Sequence, residues 1–147
     1  MKQTMNRTLG RPVIGLDTAE DLGEIKSFVV DQRVDRIERL HIAGRRSHSL
    51  FAEWSDLESF GQDAVMVTAA NAPSESDDDR DIDVARGNID ILGARVLDTF
   101  GFEHGVVDDV AFDDADGSIV DIVTSTGITA ERDDITGLGS YALVIHG

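Results

Sequence analysis

The sequence predicts an all-β fold made of two small β-barrels in tandem, each of five to six short strands with one short helical turn. Three observations predict it. The stretch WSDLESFGQDAVMV at residues 54–67 returns in outline as RDDITGLGSYALVI at residues 132–145, at an offset of 78. Short apolar runs bounded by Gly and Asp recur along the chain, which is the spacing of strands and turns rather than of helices. The strand signals also come in the same order in both halves, and a unit this small hides its sheet edges best by curling into a closed or nearly closed sheet.

Copy one opens with LGRPVIGLD, Leu9 to Asp17, and copy two with LGARVLD, Leu92 to Asp98, each a Gly turn feeding an apolar strand. A turn at Leu22-Gly23 then leads into EIKSFVVD, ending at Asp31. Its counterpart runs from His104-Gly105 through VVDDVAFD to Asp113; Gly23 and Gly105 lie 82 apart, as do Asp31 and Asp113. A hairpin follows in both. Asp116-Gly117 supplies the positive φ of a tight turn in copy two, whereas QRVDRIERLHI in copy one manages without Gly. The returning strands carry Ile37, Leu40 and Ile42 against Ile119 and Ile122, and the alternation Leu40-His41-Ile42 predicts one buried side. The excursion AGRRSHSLFAE shortens to STGITAE in copy two, so the offset falls from 82 to 78 through four residues lost in a loop. Ser55 with Glu58 fits a capping box and predicts a helical turn from Asp56 to Phe60, before Gly61 and a last strand from Ala64 to Thr68. Copy two has Thr136 in place of that Glu.

These elements divide the 147 residues into repeat one at 8–70, an acidic flexible linker at 71–88, and repeat two at 89–147. The linker NAPSESDDDRDIDVARGN reads as solvated, with an acidic docking tail for a basic partner as the alternative. Charge is uneven. Residues 1–70 hold 11 acids and 9 bases, residues 71–88 hold 6 and 2, and residues 89–147 hold 12 and 2, so the halves present different faces within a net charge of -16. Such a surface repels phosphate backbones and argues against direct nucleic-acid binding. No cysteine is present, which excludes disulfides, thiolate metal sites and a Cys nucleophile. No run approaches a membrane span, so a cytoplasmic location without membrane insertion is expected. The scarcity of Lys against Arg and Asp suits a high-GC or a salt-adapted genome.

The succession Leu-Gly-x-x-Val, Leu-Gly-x-Ile/Val before an Asp-terminated strand, a hairpin, and then Asp-Leu-x-x-x-Gly-x-Asp-Ala-Val-x-Val resembles the PRC-barrel family. That family includes the cytoplasmic part of the photosynthetic reaction-centre H subunit and the C-terminal half of the ribosome maturation factor RimM. The resemblance covers about residues 8–69 and, more weakly, 90–146. Copy one departs from the common form at Glu53-Trp54, where a Val-Pro is usual, and Tyr141 in copy two replaces Asp63 of copy one. The resemblance implies a fold and an accessory binding role, and it supplies no catalytic residue.

Chemistry-bearing patterns are few. The run DDADG at 113–117 lacks both ends of a calcium loop, since Phe112 and Val123 stand where ligands are needed, and is expected to be a hairpin turn. The four histidines have no metal-ligand spacing, and no nucleophile elbow or phosphate loop occurs. Neither catalysis nor a cofactor is expected. The candidate partner-binding residues are Arg45, Arg46, His48 and Trp54. Arg45 and Arg46 form the only basic doublet and suit an acidic partner, a phosphate or the acidic second half of the chain, or are simply a solvated tip. Trp54 is either an interface anchor or the plug of one end of barrel one.

The expected function is therefore non-enzymatic: a protein-binding or scaffolding chain that recruits protein partners or self-associates, with homo-oligomers included. The alternative is a RimM-like ribosome-assembly factor whose acidic barrel accepts a basic ribosomal protein.

Overall fold

The computed structural model describes residues 1–147, the Ser47 side chain excepted. The chain opens with β1 (Lys2–Thr4) and the single-turn helix α1 (Met5–Thr8), and then lays down β2 (Pro12–Gly15), β3 (Asp21–Val30), β4 (Ile37–Ala43), β5 (Ser49–Glu53), β6 (Ser59–Phe60) and β7 (Val65–Val67). After helix α2 (Asp79–Ala85) the same series returns as β8 (Arg95–Asp98), β9 (Glu103–Asp113), β10 (Ile119–Thr124), β11 (Thr129–Glu131), β12 (Ile135–Leu138) and β13 (Leu143–Ile145). Strand dominates and helix is minor, as the all-β reading expects.

The two sheets share one plan. Strand order is β5-β4-β3-β2-β7-β6 in the first and β11-β10-β9-β8-β13-β12 in the second. In each, one parallel pairing, β2 with β7 and β8 with β13, brings the last strand of the unit back beside its first. That return curls the sheet around its apolar side. Inward residues such as Val13, Ile25, Leu40, Ile42 and Val65 in the first sheet, and Val96, Val110, Phe112, Ile122 and Leu143 in the second, are buried to within 2%. They belong to one continuous cluster that crosses from sheet to sheet.

The contact between the sheets follows the repeat. Arg36 bridges Ser118, the residue 82 positions on. Ile37 N–H donates to the Gly117 carbonyl at 2.8 Å, and Ile119 N–H donates to the Asp35 carbonyl at 2.9 Å. Each bond is the other's counterpart, so a local pseudo-twofold axis runs between the two hairpins. The aromatics break that symmetry: Phe112 from the second sheet sits between Phe28 (6.1 Å), Trp54 (5.8 Å) and Phe60 (5.8 Å) of the first.

Four expectations need correction. The segment at 71–88, read as a solvated linker, contains α2, and its acidic run is a helix start. Asp78 caps it by accepting from the Arg80 N–H (3.0 Å) and the Asp81 N–H (3.1 Å), while Asp79 and Asp81 occupy the first turn, where the helix dipole favours anions. The helix packs on β3 and β4, with Val84 and Asp81 buried. For that reason His41, expected on an exposed side, is only 2% exposed. The helical turns lie at Trp54–Asp56 and Arg132–Asp134, upstream of the expected one and without a side-chain cap. Leu57 is already extended, and the Glu58 N–H is taken by the Met66 carbonyl at 2.9 Å, so strand pairing claims the residues a capping box would have used. Finally, the excursions at 43–53 and 125–131 hold real strands, β5 and β11.

Residues before repeat one are not spare. β1 pairs antiparallel with β9, Lys2 opposite Asp113 and Thr4 opposite Ala111, and α1 lies against the same strand with Met5 fully buried. The glycine-free hairpin of copy one puts Val34 at φ 62. Its side chain is fully buried, and burying it yields about 1.5–3 kcal/mol against a left-handed cost of about 1–2 kcal/mol. Packing outweighs the strain.

Candidate functional site

The four candidate residues do not converge. Arg45 and Arg46 stand exposed in a one-turn 3-10 helix, Arg45–Ser47, at the tip of the β4–β5 hairpin, with Arg46 in the left-handed region (φ 59, ψ 31). Among the described residues neither forms an ion pair, so they do not dock on the acidic second half. His48 reaches Glu75 at 3.3 Å. Trp54 is 6% exposed and stacks on Phe60 at 5.1 Å. It anchors one half of the chain to the other and leaves little for an outside partner.

Under α2 lies a polar network that sequence spacing did not reveal. Arg39 Nε donates to Asp81 Oδ1 at 2.7 Å and Ser76 Oγ donates to Asp81 Oδ2 at 2.6 Å, so both oxygens of the buried carboxylate are satisfied. Arg80 donates to the carbonyls of Val30 (2.8 Å) and Leu138 (3.3 Å), tying the helix to both sheets. Beside this network His41 Nδ1 lies 2.7 Å from Ser27 Oγ and its Nε2 lies 3.1 Å from Ser49 Oγ, with Phe51 stacked on the ring at 5.1 Å. Burial, and then the positive charge of Lys26, push the imidazole below its usual pKa of 6.5. A base between two hydroxyls has the elements of a nucleophile site. Here the ring is covered by Phe51 and α2, and the serines serve to satisfy a neutral buried imidazole. Among the described residues no buried side-chain nitrogen or oxygen lacks a partner.

The exposed features of the second half are of another kind. Phe100, Phe102 and Tyr141 are 74%, 67% and 71% exposed. The β8–β9 turn that carries the two phenylalanines is fixed by Asp98, whose Oδ1 accepts from the N–H groups of Phe100 (2.9 Å) and Phe102 (3.0 Å) and whose Oδ2 meets His104 Nε2 at 2.8 Å. The His104 contact first, and the Phe102 N–H next, hold the Asp98 carboxyl below the ordinary carboxylate range. Tyr141 is fixed too. Arg95 donates to its hydroxyl at 2.7 Å, lies over its ring at 5.0 Å and pairs with Glu103 at 3.2 Å. Tyr141 also borders a groove of about 330 Å³ lined by Leu92, Ala94 and Asp90.

These aromatics stand where copy one has Thr18, Glu20 and Asp63. Comparing the copies position by position is the signal that finds them: Tyr141 replaces Asp63, and Phe-Gly-Phe at 100–102 replaces Thr-Ala-Glu at 18–20. Exposed aromatic side chains carried on fixed turns, on a surface that is otherwise acidic, suit non-covalent protein recognition, where Tyr and Phe are enriched.

No protein-family model matches this chain, and no curated protein matches it. Among the described residues no helix is long and apolar enough to cross a membrane.

Proposed function

We propose that the chain is a non-enzymatic protein-binding scaffold built from two PRC-barrel-like repeats, and that it recruits a protein partner through the aromatic side chains of its second half. The observation that carries this reading is the exposure of Phe100, Phe102 and Tyr141 on a fixed frame. An unused aromatic side chain in water gains from burial in a partner, and one already held in place loses little conformational entropy on binding. The acidic surroundings favour a basic partner and speed its approach. The first half has no such set and serves as the body on which the second is mounted.

The test is in-cell photo-crosslinking from position 102 of the full-length chain, with position 45 as the comparison. A discrete protein crosslinked from 102, and lost with F100A/Y141A while R45A/R46A leaves it, supports the reading. Capture of ribosomal proteins alone would replace it by the ribosome-assembly role. A crosslink only to a second copy would make the same face a self-association surface, and no specific product from 102 would end it.

A further inference from the structure

Residues 74–85 cover a face of the first sheet, and the β10–β11 part of the equivalent face of the second sheet is open. The covered face is defined by register: Arg39 opposite Glu53 and His41 opposite Phe51. On it, Ser74 pairs with the edge strand β5, exchanging backbone bonds with Phe51 at 2.8 and 3.0 Å, and α2 then sets Asp81 on Arg39. The same register places Asp121 opposite Glu131 and Val123 opposite Thr129 in the second sheet. There β11 is the last strand of the sheet, and among the described residues nothing pairs with its outer edge. Val120, Val123 and Ile128 are 38%, 38% and 37% exposed, whereas His41 and Phe51, the counterparts of Val123 and Thr129, are 2% and 7% exposed. The α1 turn reaches only the β9 side of this face, through Asn6 and Asp109.

The charge at the key position is inverted. Arg39, which receives Asp81, has Asp121 as its counterpart 82 residues on, and among the described residues Asp121 has no ion pair.

We propose that the outer face of β10 together with the free edge of β11 is a docking site for a basic amphipathic segment of a partner protein. An extended residue of that segment pairs with Thr129 as Ser74 pairs with Phe51. A helix then follows, setting an Arg or Lys on Asp121 and an apolar side chain on Val123 and Val120. Edge addition supplies the backbone bonds and fixes the direction of the segment, and the inverted charge excludes the chain's own acidic segment from the site. The proposal rests on reading the chain as a protein-binding module, and it uses strands β10 and β11 rather than the turns that carry Phe100 and Tyr141.

The probe is a synthetic peptide of residues 73–86 carrying D77K, D79K, D81R and D83K, titrated into the full-length chain by calorimetry. One-to-one binding is expected, absent with the unaltered acidic peptide. It should weaken about tenfold, the effect of one lost anchor contact, in V123S and in T129P, where proline removes an outward N–H that the folded sheet does not use. D121R should abolish it, and the peptide without D81R should restore binding to D121R. Unchanged melting temperatures establish that these surface variants fold. No binding, or binding indifferent to V123S, T129P and D121R, overturns the proposal, and either result leaves the crosslinking test at position 102 unaffected.

Discussion

Arg36 and Ser118 form a backbone bridge across the two sheets, and they hold the same place in the two repeats. A contact between equivalent positions is what an isologous dimer makes, so the tandem chain contains within itself the interface that two separate copies would form. The self-complementary surface is thereby consumed inside one molecule.

Neither half should fold alone. Expressed separately, residues 1–70 lack β9 as the partner of β1 and Phe112 as the neighbour of Trp54, and residues 89–147 lack β1 and α1. Each fragment is expected to show no cooperative melt and to bind a hydrophobic dye. Circular dichroism of each fragment checks this, and a sharp transition in either would contradict the shared core.

Gly117 should be among the least replaceable glycines. It has φ +77, and a Cβ there would lie 2.9 Å from the Trp54 ring and 3.1 Å from the Ile37 carbonyl oxygen. G117A is expected to cost about 2–4 kcal/mol, conformational strain and overpacking together. G127A, at φ +88 with open space around it, should cost only about 1 kcal/mol of strain. Urea denaturation of the two variants gives the difference directly.

Removing Asp81 should free α2. D81A leaves Arg39 without its close partner and Ser76 without an acceptor, at an expected cost of about 2–4 kcal/mol, because a partly buried charge is stranded. The double variant R39M/D81L should recover most of that loss. Hydrogen exchange should show fast amides at 79–85 in D81A before the sheets respond.

Acid should loosen the same region through His41. Its pKa is lowered in the folded chain, so the unfolded chain binds the extra proton first as pH falls below 6.5. The stability is therefore full above that pH and drains away toward the lower folded pKa. Lys26 opposes the imidazolium and Asp81 favours it, with Ser27 and Ser49 as its hydrogen-bond partners. H41Q, which keeps the capacity to donate and accept, should flatten the dependence of the melting temperature between pH 5 and 7 (roughly the window in which histidine titrates).

Much of the sheet architecture was legible because turns and inward residues repeat. Gly23 with Gly105 and Asp31 with Asp113 mark the long strands β3 and β9 in register, and their spacing alone sets the pairing of the hairpins. Three kinds of feature were not legible. The segments SLFAE and TAE are too short to signal strands β5 and β11 without their neighbours. A run of Asp looks solvated unless the cap at Asp78 and the charge opposite Asp81 are known, and Arg39 is brought there only by the fold. Trp54 reads from the sequence as either an anchor or a plug, but its neighbour Phe112 comes from the other half, and nothing local in the sequence points across 58 residues. The exposed aromatics are hidden in the sequence for the opposite reason: Phe100 and Phe102 look like ordinary strand-forming residues, and only the turn through the glycine between them leaves both exposed.

The pairing of β1 with β9 also sets a clock on synthesis. Lys2 must wait for Asp113, and at roughly 5–20 residues per second the first strand leaves the ribosome about 5–20 s before its partner exists. Until then its backbone groups are satisfied by water or by whatever holds the nascent chain. The second sheet thus closes around a strand made well before its partner, which makes β1 one of the last elements to be locked in place.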